Sequence, residues 1–104
     1  MTRTTQERLN RFNYLLGETE AAYHELSLKM GYPDSAMKVL YAICDNGGSC
    51  PLRTIRRRSG LSKQTMNSAI RKLEAEDVLQ LELDGGRAKN ARLTAHGQAV
   101  AEAT

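Results

Sequence analysis

Lys63, Gln64, Asn67, Ser68 and Arg71 all carry hydrogen-bonding side chains, at spacings that bring them to one side of a helix. Their chemistry suits base edges. A glutamine or asparagine can pair bidentately with adenine and an arginine or lysine with guanine, each worth about 1–3 kcal/mol of discrimination. Arg53, Arg56, Arg57 and Arg58 precede this group, and Arg87, Lys89 and Arg92 follow it. Cations so placed suit phosphates rather than bases. Covalent chemistry finds no such constellation. His24 and His96 are far apart, and neither Cys44 nor Cys50 has a histidine at zinc-like spacing. Gly47-Gly48 and Gly85-Gly86 read as turns, not as phosphate-cradling loops. No catalytic residue, metal or cofactor is expected, and the chain does not read as an enzyme.

Charge is distributed unevenly. Residues 53–92 hold ten Lys/Arg against five Asp/Glu, whereas residues 1–52 hold five against six. One contiguous basic stretch on an otherwise near-neutral chain suits a polyanion-binding face. All five aromatic residues lie before residue 42, outside that stretch. That disfavours single strands and RNA, where bases stack on aromatics, and leaves double-stranded DNA.

The elements that must hold these residues fit a chain of 104 residues, enough for one domain with one modest core. The absence of any run near 18 apolar residues and the polar start Thr2-Arg3-Thr4-Thr5 argue against a membrane span or a secretory signal. Two cysteines make no disulfide framework, so the expected compartment is the cytoplasm. Thr5 reads as the cap of a long helix over 5–31, ending at Gly31 with Pro33 beyond. Leu9, Phe12, Leu16, Tyr23 and Leu26 form a seam along it, at three- and four-residue steps that Thr19 completes. So long an apolar stripe exceeds what the remaining chain can cover, and these five residues are the expected contacts with a second copy.

A second helix, from a cap at Asp34 or Ser35 to about Cys44, is nearly apolar all round and belongs mid-core, Cys44 included. Pro51 suits the first position of a short third helix with Leu52 and Ile55 inward, which leaves Cys50 more exposed, with a lowered thiol pKa. Ser62 caps a fourth helix whose core face is Met66, Ala69, Ile70 and Leu73, with Leu61 as a hydrophobic staple. The period then changes to two over Val78–Leu83, turns at Asp84-Gly85-Gly86-Arg87 and returns over Asn90–Leu93. Thr94 caps a last helix. The core and the two reading helices thus occupy 35–77, a wing 78–94, and the start of a C-terminal helix 95–104. The fold is mainly α with a small β-hairpin, a winged helix-turn-helix.

Ser59-Gly60-Leu61-Ser62-Lys63-Gln64-Thr65-Met66-Asn67-Ser68-Ala69-Ile70-Arg71-Lys72-Leu73-Glu74 resembles the recognition element of the MarR family of bacterial transcription regulators. Gly86-Arg87-Ala88-Lys89-Asn90-Ala91-Arg92-Leu93-Thr94-Ala95-His96-Gly97 resembles that family's wing and the start of its next helix. The resemblance covers about residues 8–104. It implies a homodimeric regulator, usually a repressor, reading a palindromic operator with recognition helix 62–76 in the major groove and wing 84–92 on the minor groove and backbone. Ser62, Lys63, Gln64, Thr65, Asn67, Ser68 and Arg71 would face the groove, and Arg87 would be the wing arginine that enters the minor groove. With Arg53, Arg56, Arg57 and Lys89 they complete the expected DNA contacts. Many such regulators bind a small aromatic or amphipathic effector, for which Tyr14, Tyr23, Met37 and Tyr41 are candidate lining. An oxidant-sensing cysteine of the kind found in the first helix of some relatives has no counterpart here.

Two departures stand out. The family continues through a long fifth helix and a sixth that build its dimer, whereas this sequence stops at Thr104; the expectation is a truncated chain or a dimer built chiefly on the first helix. The wing is also sparser in charge than in many relatives. The rival reading is a winged-helix protein-interaction module, which has no need of a charged wing or of a Lys/Gln/Asn/Arg helix face.

Overall fold

The computed structural model describes residues 2–103. Helix α1 (Arg3–Met30) is 28 residues long, about 42 Å at 1.5 Å per residue. Its cap is Thr2, not Thr5: the Thr2 side chain accepts from the backbone N–H of Thr5, so the helix starts a turn earlier than the sequence pattern implies. Gly31 ends it in the left-handed region at φ 77°, where its missing Cβ removes the penalty. No residue of α1 is fully buried, and residues 3–20 are all exposed. Only its C-terminal part, through Tyr23, Leu26 and Met30, packs against the core.

Helix α2 (Asp34–Asp45) runs through the middle of that core, with Ala36, Met37, Val39, Leu40, Ala42 and Ile43 buried. It is not buried all round, because Tyr41 and Cys44 point outward. Two pairs brace it: Lys38 to Glu20 of α1 at 3.0 Å, and Asp45 to Arg58 of the next helix.

After the Asn46-Gly47-Gly48 turn comes a short strand, β1 (Ser49–Pro51), that the sequence does not announce. Helices α3 (Leu52–Ser59) and α4 (Lys63–Ala75) follow, then strands β2 (Leu79–Asp84) and β3 (Arg87–Leu93), and finally α5 (Ala95–Glu102). The sheet is antiparallel in the order β1-β3-β2, three strands rather than a lone hairpin. Within β1 the pleat turns Cys50 into the core opposite Ala91. The expectation for the cysteines is thereby reversed: Cys50 is buried and Cys44 exposed. Burial also pushes the Cys50 thiol pKa up rather than down, only partly offset by the nearby Arg58. Pro51 caps α3 from outside instead of opening it.

The end of α4 aims the wing. Asp77 N–H bonds to Glu74 C=O at 3.0 Å and Val78 N–H to Leu73 C=O at 2.9 Å, with Asp77 left-handed at φ 60°. This is a Schellman closure, and it buries Val78 against Leu73 just as the chain enters β2. Among the described residues no helix is long and apolar enough to cross a membrane.

Candidate nucleic-acid interface

The turn between α3 and α4 sets how the two helices lie against each other. Gly60, left-handed at φ 70°, closes α3 on Arg56 C=O, and Ser59 Oγ accepts from Leu61 N–H at 3.3 Å. Ser62 then caps α4: its Oγ accepts from Thr65 N–H at 3.2 Å and its hydroxyl donates to Thr65 Oγ1 at 2.9 Å. Ser62 is therefore committed to the cap, while the Thr65 hydroxyl keeps its own proton for an outside partner. Met66, Ala69, Ile70 and Leu73 lock the opposite face into the core.

What remains outside is a shallow hollow of about 400 Å³ lined by Lys63, Gln64, Asn67, Ser68 and Arg71. Lys63, Gln64, Ser68 and Arg71 are exposed and Asn67 half-buried. A groove of about 580 Å³ adjoins it, running between α3, α4 and the wing. Arg53, Arg56, Lys63, Asn67 and Lys89 supply its polar lining with Asp84, and Leu52, Met66 and Ala88 part of its apolar lining. Arg57 is exposed on α3, and Arg87 stands exposed at the tip beyond Gly85-Gly86, opposite Asp84.

The ion pairs sort the cations of the basic stretch. Arg58 is paired with Asp45, Lys72 with Glu76 at 3.4 Å and Arg92 with Glu82 at 3.1 Å. Among the described residues Arg53, Arg56, Arg57, Lys63, Arg71, Arg87 and Lys89 carry no ion pair, and all seven lie on α3, α4 or the wing. They keep their full field for an external anion.

A polar network escaped sequence reasoning. Asn90 Nδ2 donates to Ser49 Oγ at 2.7 Å and to Glu82 Oε1 at 2.6 Å, and Arg92 Nε donates to the same Glu82 oxygen at 3.1 Å. These bonds, Asn90 first, hold the Glu82 carboxyl below its ordinary pKa. The only sequence signal is the alternation over Val78–Leu83, which puts Glu82 on the polar side of its strand; β1, which supplies Ser49, gives none. Asp84, which the sequence shows only as a turn residue, adds a carboxylate to the groove cations.

The aromatic candidates do not share one cleft. Met37 and Tyr41 line a hollow of about 470 Å³ between α1, α2 and α5. Tyr23 meets Tyr41 edge-on at 6.1 Å, and the two line a second cavity with Leu16 and Lys38, away from Met37. Tyr14 is exposed on α1, outside both. Among the described residues no cluster of three or more His, Cys, Asp or Glu is placed to hold a metal ion.

Residues 30–89, which span the core helix, both reading helices and most of the wing, match the sequence model of the MarR family. The chain belongs to that family. Solved structures agree in fold. A MarR-family transcriptional regulator from Silicibacter pomeroyi superimposes with a TM-score of 0.75 at 24% identity, over 88% of this chain and 62% of its own. One from Rhodococcus sp. RHA1 gives 0.78 at 16% identity, over 99% of this chain and 74% of its own. BpsR of Bordetella bronchiseptica, whose DNA binding is regulated by 6-hydroxynicotinic acid, gives 0.67 at 23% identity, over 89% of this chain and 74% of its own. The chain thus spans 62–74% of the length of these MarR relatives. No curated protein matches it in sequence.

Proposed function

We propose that this MarR-family chain is a sequence-specific regulator of transcription that binds double-stranded DNA, acting as a repressor in the cytoplasm, with residues 1–104 working as one winged-helix domain. Helix α4 enters the major groove with Lys63, Gln64, Thr65, Asn67, Ser68 and Arg71 toward the base edges. Arg53, Arg56 and Arg57 of α3 take phosphates on one side. Lys89 and Arg87 of the wing take the backbone and minor groove on the other. The observation that carries this reading is the groove between α3, α4 and the wing, into which Arg53, Arg56, Lys63 and Lys89 converge with none of them held in an ion pair.

A palindromic operator needs two copies, and the exposed half of the α1 seam is the surface offered for pairing. The apolar hollow beside Tyr41 and Met37 is the place offered for a small aromatic or amphipathic effector, in keeping with what BpsR does with its own ligand. Capture of genomic fragments on the purified protein, followed by mobility shift across a salt series, tests the whole reading. A recovered palindrome bound more weakly as salt rises supports it. Fragments recovered at random, or binding insensitive to salt, would point to a protein-interaction module instead.

A further inference from the structure

β3 has a neighbour on each side only as far as Asn90, the residue opposite Pro51 at the end of β1 and opposite Glu82 on β2. Beyond it the register shifts: Leu83 pairs with Ala88, so Lys89 is left as an extra residue in a bulge. From there to the tip the wing is a bare two-stranded ribbon. Such ribbons twist strongly and are marginal alone, and a bulge at the root re-aims whatever lies past it. The side chain at this junction spends both amide protons across the sheet, on Ser49 Oγ at 2.7 Å and on Glu82 Oε1 at 2.6 Å. Ser49 lies just ahead of Cys50 and Pro51, and Pro51 leads directly into α3.

We propose that Asn90 is a positioning residue for DNA binding, a clamp at the wing's root that ties β2 and β3 to β1 and so fixes the wing's angle against α3 and α4. The proposal rests on the DNA-binding reading above. Through the clamp, the strand that launches Arg53 and Arg56 is joined to the ribbon that carries Lys89 and Arg87, and Arg53, Arg56 and Lys89 face a common groove. Without it the tip explores many angles, and Arg87 reaches its phosphate or minor-groove position only at the cost of ordering the ribbon on binding.

The test uses the whole chain with Asn90→Ala, Ser49→Ala and Ser49→Thr. In the free protein, the ¹⁵N heteronuclear NOE at Gly85, Gly86 and Ala88 is expected to fall in both alanine variants and to recover in Ser49→Thr, which keeps the hydroxyl. Operator affinity is expected to fall about tenfold in Asn90→Ala, the scale of losing one or two such hydrogen bonds. The decisive reading is the mutant cycle. Arg87→Ala should cost less in the Asn90→Ala background than in wild type, while Gln64→Ala on α4 should cost the same in both. Unchanged NOE values at the tip in both alanine variants, or full additivity with Arg87→Ala, would overturn the clamp while leaving the DNA reading intact. A wild-type chain that binds no DNA overturns that reading itself.

Discussion

Gly97 lies against the backbone of Val78 so closely that a Cβ built on it would stand 1.8 Å from the Val78 carbonyl oxygen. The contact joins the first turn of α5 to the root of the wing. Thr94 makes the same junction from the other side, its backbone N–H bonding to Val78 C=O at 3.1 Å and its side chain capping Gly97 N–H at 2.9 Å. Gly97→Ala must therefore push α5 off the sheet. A loss of at least about 1–3 kcal/mol is expected, the scale of overpacking a close contact. For a domain this size that lowers Tm by several degrees. Calorimetry of Gly97→Ala beside Gly17→Ala makes the comparison internal, because Gly17 sits on the exposed part of α1 with nothing within 4 Å of an added Cβ. Equal melting temperatures would mean that α5 does not hold this position.

On α4 the reading face is separable from the core face. Gln64→Ala, Asn67→Ala and Arg71→Ala should each cost about 1–3 kcal/mol at the operator and relax sequence preference. Their circular dichroism should match wild type, because the buried contacts of α4 run through Met66, Ala69, Ile70 and Leu73. Ser62→Ala should differ in kind, lowering stability by roughly 0.5–2 kcal/mol through the lost cap. Operator affinity unchanged in all three face variants would remove α4 as the reader.

For the cations, the ion pairs predict which arginines matter. Arg56→Ala, Arg57→Ala and Arg87→Ala should weaken binding to every sequence similarly and reduce the salt slope by about one each. Arg58→Ala, next to Arg57 in the chain yet paired with Asp45, should leave the slope nearly unchanged. A slope that falls as much for Arg58 as for its neighbours would show that the pair opens on DNA.

Much of this was legible from local signals. Ser62, Gly60 and Thr94 are punctuation that works within one turn of chain, and the face of α4 follows from its period. What failed to show depended on partners distant in sequence. β1 is three residues with no alternation, and it exists only because β3 arrives some forty positions later to pair with it. Without β1, Cys50 reads as exposed and Asn90 as no more than the first residue of the return strand. Thr5 illustrates a smaller failure: Thr2 and Thr5 are both competent caps, and the choice between them is worth too little for the sequence pattern to settle.

The hydrogen bonds to the Glu82 carboxyl predict a pH response for the wing. Its folded pKa lies below the ordinary glutamate value, because Asn90 and Arg92 both donate to the charged form. The sign follows from linkage: the stabilisation is present above the unfolded pKa, about 4.3, and is lost as pH falls through the lower folded value. Glu82→Gln should therefore order the wing less well than wild type at neutral pH, and the two proteins should converge in acid. NOE values at Gly85 and Gly86 between neutral pH and about pH 3 check this; a constant gap across that range would mean the carboxylate charge is not what the network uses.

The α1 seam divides in the structure, and the division sharpens the test of pairing. Leu9, Phe12 and Leu16 are 44%, 60% and 47% exposed, whereas Tyr23 and Leu26 pack against the chain's own core. Only the first three remain free for a second copy, and the other two continue the same stripe into the monomer. Leu16→Glu therefore touches no core contact and should leave the monomer's stability within about 0.5 kcal/mol of wild type. In a shared seam the same change buries an unpaired carboxylate, a large penalty that should abolish association. Leu26→Glu is the contrasting variant, expected to damage the fold itself. Two recognition helices read a palindrome only when held about 34–36 Å apart, so loss of the dimer should also remove cooperative operator binding while leaving half-site binding in place. Sedimentation across a concentration series distinguishes the cases. If wild type and Leu16→Glu sediment alike at every concentration, the exposed half of α1 does not pair, and the spacing of the two reading heads must be set elsewhere.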